Sequence, residues 1–180
     1  MSELYLRGFG KISDKLSFLM SNLRYYPVMT ELDEHDRRIL RHLQNDASLS
    51  VDALADLVHL SRNACWRRVK RMENDGVILR KVALVNPQSV DLDLSVFVMI
   101  RTHSHDPAWL EKFKNAVSVM PEIVAAHRMS GDLDYVLRVK VRDVKAYDAF
   151  YQRLISRVPV ADISASFVME DIKDGTALPL

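Results

Sequence analysis

The chain has 180 residues, 48% hydrophobic and 27% charged, with 25 Lys and Arg against 24 Asp and Glu for a net charge of +1. That is enough chain for one large or two small domains with real cores, and the charge balance excludes a nucleic-acid binder that works by bulk charge. Only a binder with its basic residues gathered on one element remains open. One cysteine, Cys65, excludes an internal disulfide framework. No apolar run reaches transmembrane length, and the first residues lack the compact apolar core and cleavage site of a signal peptide. A cytoplasmic protein with no membrane association is expected.

Residues 1–28 differ from the rest. Ile12, Leu16, Leu19, Met20 and Leu23 have helical spacing, and Tyr25-Tyr26-Pro27 breaks it. Two readings stand for this leader. It is either an extra amphipathic helix packing on a dimer or a membrane surface, or upstream sequence before a natural start at Met29.

Residues 29–80 carry three short helical patterns. Asp33 caps the first, acidic residues crowd its first turn, and Ile39, Leu40 and Leu43 form its apolar stripe. Ser50 caps the second, with Val51, Leu54, Ala55 and Val58 on its buried side. Ser61 caps the third only a few residues later. There, Cys65, Val69 and Met72 share one face with Trp66 beside them, and Asn63, Arg67, Lys70 and Arg71 share the other. Between Ser61 and Met72 stand five Arg or Lys and no acid. Gly76 supplies a left-handed stop. Three compact helices ending in a basic one form a helix-turn-helix, whose third helix docks on a core and enters a DNA major groove. Arg62, Asn63, Ala64 and Arg67, after the Ser61 cap, are placed to approach base edges. Arg68, Lys70 and Arg71 are placed to grip phosphates or flank the groove. Cys65 sits on the apolar side, as a small core hydrophobe rather than a redox sensor.

Residues 81–94 form the hinge. Val77-Ile78-Leu79 and Val82-Ala83-Leu84-Val85 are short β-like runs, ended by Asn86-Pro87. From 95 to 180 the pattern is β, α, β, β, α, β. Val96–Ile100 is a strongly apolar strand, and Pro107 opens a helix with Leu110, Phe113, Val117 and Met120. Ile123–Met129 and Tyr135–Val141 flank the turn Ser130-Gly131-Asp132. A helix over 144–157 bears Tyr147, Phe150, Tyr151, Leu154 and Ile155, and Val160–Met169 is the last strand. This is the split βαβ order of a ferredoxin-like fold. The whole is an α+β chain: a winged-type helix-turn-helix joined by a strand hinge to a ferredoxin-like βαββαβ domain. Both parities of the first strand are apolar, Val96, Val98 and Ile100 against Phe97 and Met99. A sheet with a second apolar face needs a partner, and a homodimer is inferred.

An enzyme is not indicated, since no nucleophile elbow, phosphate loop or zinc-protease motif is present. His103 and His105 have a spacing that can hold a metal, but no third ligand stands in the motif, so no metal or cofactor is expected. A stand-alone small-molecule sensor that does not bind DNA remains the alternative.

The stretches LDEHDRRILRHLQNDASLS, LSRNACWRRVKRMENDGVI, SGDLDY and SFVMEDIKDGTALPL, in this order and spacing, resemble the leucine-responsive regulatory protein/AsnC family of transcription regulators. The resemblance covers Leu32 to Leu180 and leaves the leader without a counterpart. It implies a DNA-binding head, a ligand-sensing domain, dimers that often assemble four to a ring as an octamer, and control by a small amino acid. It also implies an effector site near the glycine turn: Ser130, Gly131, Asp132, Asp134 and Tyr135, with Arg128 and Met129 leading in. There Gly131 allows a positive φ and close backbone approach, backbone N–H groups can hold a carboxylate, and Asp132 or Asp134 an α-ammonium. Ser164 and Ser166 are candidates for the opposing wall. CWRRVKRMENDG with KVALVNP is most similar to the subgroup that senses cysteine and controls its breakdown.

Overall fold

A computed structural model describes residues 31–102 and 106–180. The expectations for the leader, its helix and a start at Met29, and for the His103/His105 pair, lie outside the described residues. The chain forms two compact units. One runs through Ala83 and takes back Lys173–Leu180; the other is Leu84–Ile172.

The first unit holds α1 (Glu34–Asn45), α2 (Val51–Val58) and α3 (Arg62–Asn74). Each begins where a side chain satisfies orphan N–H groups. Asp33 accepts from the Asp36 N–H while Asp36 accepts from the Asp33 N–H, a closed capping box. Ser50 accepts from Ala53, and Ser61 from Ala64. His59 ends α2 in the left-handed region at φ 56°, and Gly76 follows α3 at φ 73°, as its sequence position predicts. Ile39, Leu40, Leu54, Ala55, Val58, Cys65, Val69 and Met72 form one buried cluster. Leu180 packs on that cluster too, so the C-terminal residues expected to stay with the sheet domain group with the helices.

The hinge differs from expectation. Residues 77–86 form no strand, and the segment ends in a 3₁₀ turn at Pro87–Val90. A strand exists only through pairing, and within one chain nothing among the described residues pairs with it. Leu79, Val82, Leu84 and Val85 therefore stay exposed.

The second unit holds β1 (Leu94–Arg101), α4 (Pro107–Ser118), β2 (Ile123–Arg128), β3 (Tyr135–Val141), α5 (Val144–Arg157) and β4 (Asp162–Phe167). The sheet is antiparallel with order β2-β3-β1-β4, the ferredoxin-like topology. Val96, Val98 and Ile100 of β1, with Leu137, Val139 and Val141 of β3, pack against Trp109, Phe113, Ala116, Phe150 and Leu154. In α4 it is Trp109 that is buried, with Leu110 only partly so. The alternate residues Phe97, Met99, Val136 and Arg138 lie on the opposite face, where Phe97 is exposed between Arg138 and Ser166.

Candidate nucleic-acid interface and effector turn

Helix α3 is divided lengthwise. Cys65, Val69 and Met72 are buried, Ala64 and Arg68 half-buried, and Arg62, Asn63, Trp66, Arg67, Lys70 and Arg71 exposed. Ser61, which the sequence groups with the DNA-contacting residues, uses its hydroxyl on the Ala64 N–H at 3.3 Å. Burial pushes the Cys65 thiol pKa up and keeps it protonated and unreactive.

The cations on this helix fall into three groups. Arg68 Nη1 donates to Asp33 at 2.7 Å and to Asp36 at 2.9 Å, and Arg71 donates to the other Asp36 oxygen. Asp36 is fully buried, so these two guanidiniums neutralise an interior carboxylate. Their sequence position suggests that they grip phosphates or flank the groove; the structure also gives them a load across α1 and α3, with Arg68 the more committed. Arg62 meets Asp52 at 3.0 Å and Lys70 meets Glu73 at 2.7 Å, both on exposed surface where such pairs are weak and readily exchanged. Arg67 and Asn63 make no ion pair or side-chain hydrogen bond among the described residues. The Asp36 cluster was not legible in the sequence because its partners lie 32 and 35 residues apart.

In the second unit, Gly131 has φ 125°, a value that L side chains rarely adopt, although an added Cβ would meet open space. The turn is braced from both sides. Met129 N donates to the Asp134 carbonyl, Asp134 N to the Ile100 carbonyl, and Thr102 N to the Asp134 carboxylate at 3.0 Å. Arg101 Nε donates to the Asp132 carbonyl at 3.0 Å, and its Nη1 lies 3.5 Å from Asp162 at the start of β4. Arg101 is thus a strut between the turn and β4 that sequence reasoning missed. Arg128, Met129, Ser130 and Asp132 are exposed together. Tyr135 is not with them: it is buried, its ring 4.4 Å from Phe113 and 5.6 Å from Trp109, and burial raises its pKa. Alternation sends it to the helix-covered face. Ser164 and Ser166 are exposed on β4, separated from β2 and β3 by β1, so one chain does not bring them to the turn.

Comparison with known proteins accords with this architecture. The model of the Lrp/AsnC ligand binding domain matches residues 95–178. A winged helix-turn-helix DNA-binding model matches residues 32–78. The DNA-binding transcriptional activator DecR of Escherichia coli strain K12 is 46% identical over 150 residues, 83% of this chain and 99% of that protein. An AsnC family transcriptional regulator from Agrobacterium tumefaciens has a crystal structure similar to this one at TM-score 0.80 and 53% identity, covering 82% of this chain and 97% of that one. A transcriptional regulator from Neisseria meningitidis, solved as its L-Met complex, gives TM-score 0.79 and 33% identity over 83% and 97%. The chain belongs to the Lrp/AsnC family of DNA-binding transcriptional regulators.

Proposed function

We propose that this regulator reads double-stranded DNA with the solvent face of α3 and is controlled by a small amino acid held at the turn around Gly131. The observation that carries the first part is the state of Arg67 and Asn63. Both are exposed on a capped helix and spent on no internal partner among the described residues, while Arg68 and Arg71 are engaged by Asp36. Arg62, Asn63, Ala64 and Arg67 then approach base edges, and Lys70 and the exposed side of Arg71 lie against phosphates. A symmetric dimer requires a pseudo-palindromic operator with half-sites roughly 34 Å apart.

The effector assignment is supported by the exposed group Arg128, Met129, Ser130 and Asp132 beside the positive-φ glycine, and by the L-Met complex of the Neisseria relative. Cysteine is our first candidate, on the similarity of CWRRVKRMENDG and KVALVNP to the cysteine-sensing subgroup. Ser164 and Ser166 reach such a site only from a second protomer. The assembly we propose is a homodimer through the open sheet faces, four dimers forming an octamer, in the cytoplasm and without catalytic activity. The effector acts by favouring one assembly or head orientation over another.

Two measurements test this. Arg67→Ala removes discrimination between operator and random DNA, whereas Lys70→Ala weakens both and lowers the salt slope by about one. A thermal-shift panel with cysteine, methionine and leucine raises the melting temperature for the true effector. DNA binding with no shift for any amino acid leaves a regulator without this control. A shift without DNA binding leaves the stand-alone sensor.

A further inference from the structure

The chain has two tryptophans, and the structure treats them oppositely. Trp109 is 5% exposed, stacked on Phe113 with its Nε1–H donating to the Pro159 carbonyl. Trp66 is 50% exposed on α3. No aromatic ring among the described residues stacks on it. It stands four residues after Arg62, four before Lys70 and three after Asn63, so on a helix it lies about 40° to 60° from each of them. The indole therefore borders the face assigned to DNA, among cations and an amide, with no function there in the free chain.

Half-exposing an indole is unfavourable, because aromatic side chains bury more apolar area than most others and gain most from it. A site that served only solubility would be filled by another charge. The basic neighbours identify what covers it, since they complement a polyanion and not an apolar protein surface. Within a major groove nearly every edge atom is a hydrogen-bond donor or acceptor. The one apolar group is the thymine C5-methyl. We propose that Trp66 is a base-reading residue that packs its indole against a thymine methyl in each half-site, adding a T preference beside the bases read by Asn63 and Arg67. The inference rests on α3 being the helix that enters the groove.

The test uses the full-length protein and a duplex selected by it from a random-sequence pool. Trp66 emission, obtained by subtracting the Trp66→Phe spectrum, is solvent-exposed in the free protein and shifts or quenches on duplex addition, while Trp109 emission stays constant. Replacing thymines one at a time by uracil, which deletes only the methyl, costs the wild type about fourfold at one position per half-site. The same replacement costs Trp66→Ala nothing further, and that variant binds the unmodified duplex roughly five- to a hundredfold more weakly. Trp66→Gln serves if the alanine variant does not fold. The proposal is overturned if the complex forms with Trp66 emission unchanged, or if uracil costs both proteins equally. It is also overturned if the free protein already shows a buried Trp66, which would make its occupant another part of the assembly. Selection that yields no bound duplex removes the DNA assignment of α3 itself, and this proposal with it; that result differs from a complex insensitive to uracil.

Discussion

Asp36 is an acid with no exposed surface, and it is held by Arg68, Arg71 and the Asp33 N–H. A buried charge is tolerated only when paired. Replacing Asp36 by Asn keeps the shape and removes the charge, so two guanidiniums face a neutral amide. The expected loss is about 2–4 kcal/mol, less than for a fully buried pair because both arginines remain partly solvated. Thermal melts of the variant measure it, and an unchanged midpoint would mean that the cluster contributes nothing net. Asp33 adds a pH dependence. The Asp36 N–H, and then Arg68, hold its pKa near 2 instead of 3.8. A depressed carboxylate stabilises fully above its unfolded value, and that contribution disappears as pH falls from about 4 to about 2. Asp33→Ser keeps a helix cap without the charge. Its acid-unfolding curve, followed by circular dichroism, should be flatter than wild type in that window.

At the scale of elements, legibility followed locality. Asp33, Ser50 and Ser61 mark helix starts because a cap is chemistry within three residues, and the helix expected over 144–157 is Val144–Arg157. The strongly apolar strand expected at Val96–Ile100 is β1, and of its two apolar parities it is Val96, Val98 and Ile100 that are buried while Phe97 is exposed. Features built from distant partners were invisible: the Asp36 cluster, the Arg101 strut, and the return of the C-terminal segment. The residues we propose for base reading and effector binding stand out in the sequence as types in a pattern, but the pairing of Arg68 and Arg71 with Asp36 and the inward turn of Tyr135 do not. The C-terminal segment makes its own prediction. Gln44 donates to the Leu178 carbonyl at 3.3 Å and accepts from the Leu178 N–H at 2.6 Å, and Arg41 Nε donates to the Leu180 carbonyl at 2.8 Å. Gln44→Ala removes both bonds to Leu178 and should destabilise docking of the tail by about 1 kcal/mol, since both groups can return to water. Hydrogen exchange reads this directly. The Leu178 amide should exchange faster while the Leu54 amide, inside α2, stays protected; equal protection of Leu178 in both proteins would show that the side-chain bonds do not hold the tail.

The whole molecule carries more apolar surface than a solitary chain needs. Leu79 and Leu84 of the hinge are 89% and 77% exposed, and Phe97 stands open at the centre of the sheet face. Large apolar side chains left this exposed are candidates for an interface. The two patches have different characters. The hinge offers backbone groups without strand partners among the described residues along with its side chains, and so suits pairing with another strand, whereas the sheet face, with its backbone bonds lying in the plane of the sheet, contributes side-chain packing. The homodimer we propose would cover both at once and would double the helices offered to DNA. Phe97→Arg separates these contributions. It sets a cation beside Arg138 in the middle of the sheet face, where like charges across strands are destabilising, and leaves the helical unit untouched. Light scattering should then find a smaller particle than wild type. Binding to a two-half-site operator should weaken by 10²- to 10⁴-fold through lost effective concentration, with single half-site binding unchanged. Wild-type mass together with wild-type operator affinity would show that the homodimer we propose does not form through this sheet face, and would turn attention to the hinge as its contact.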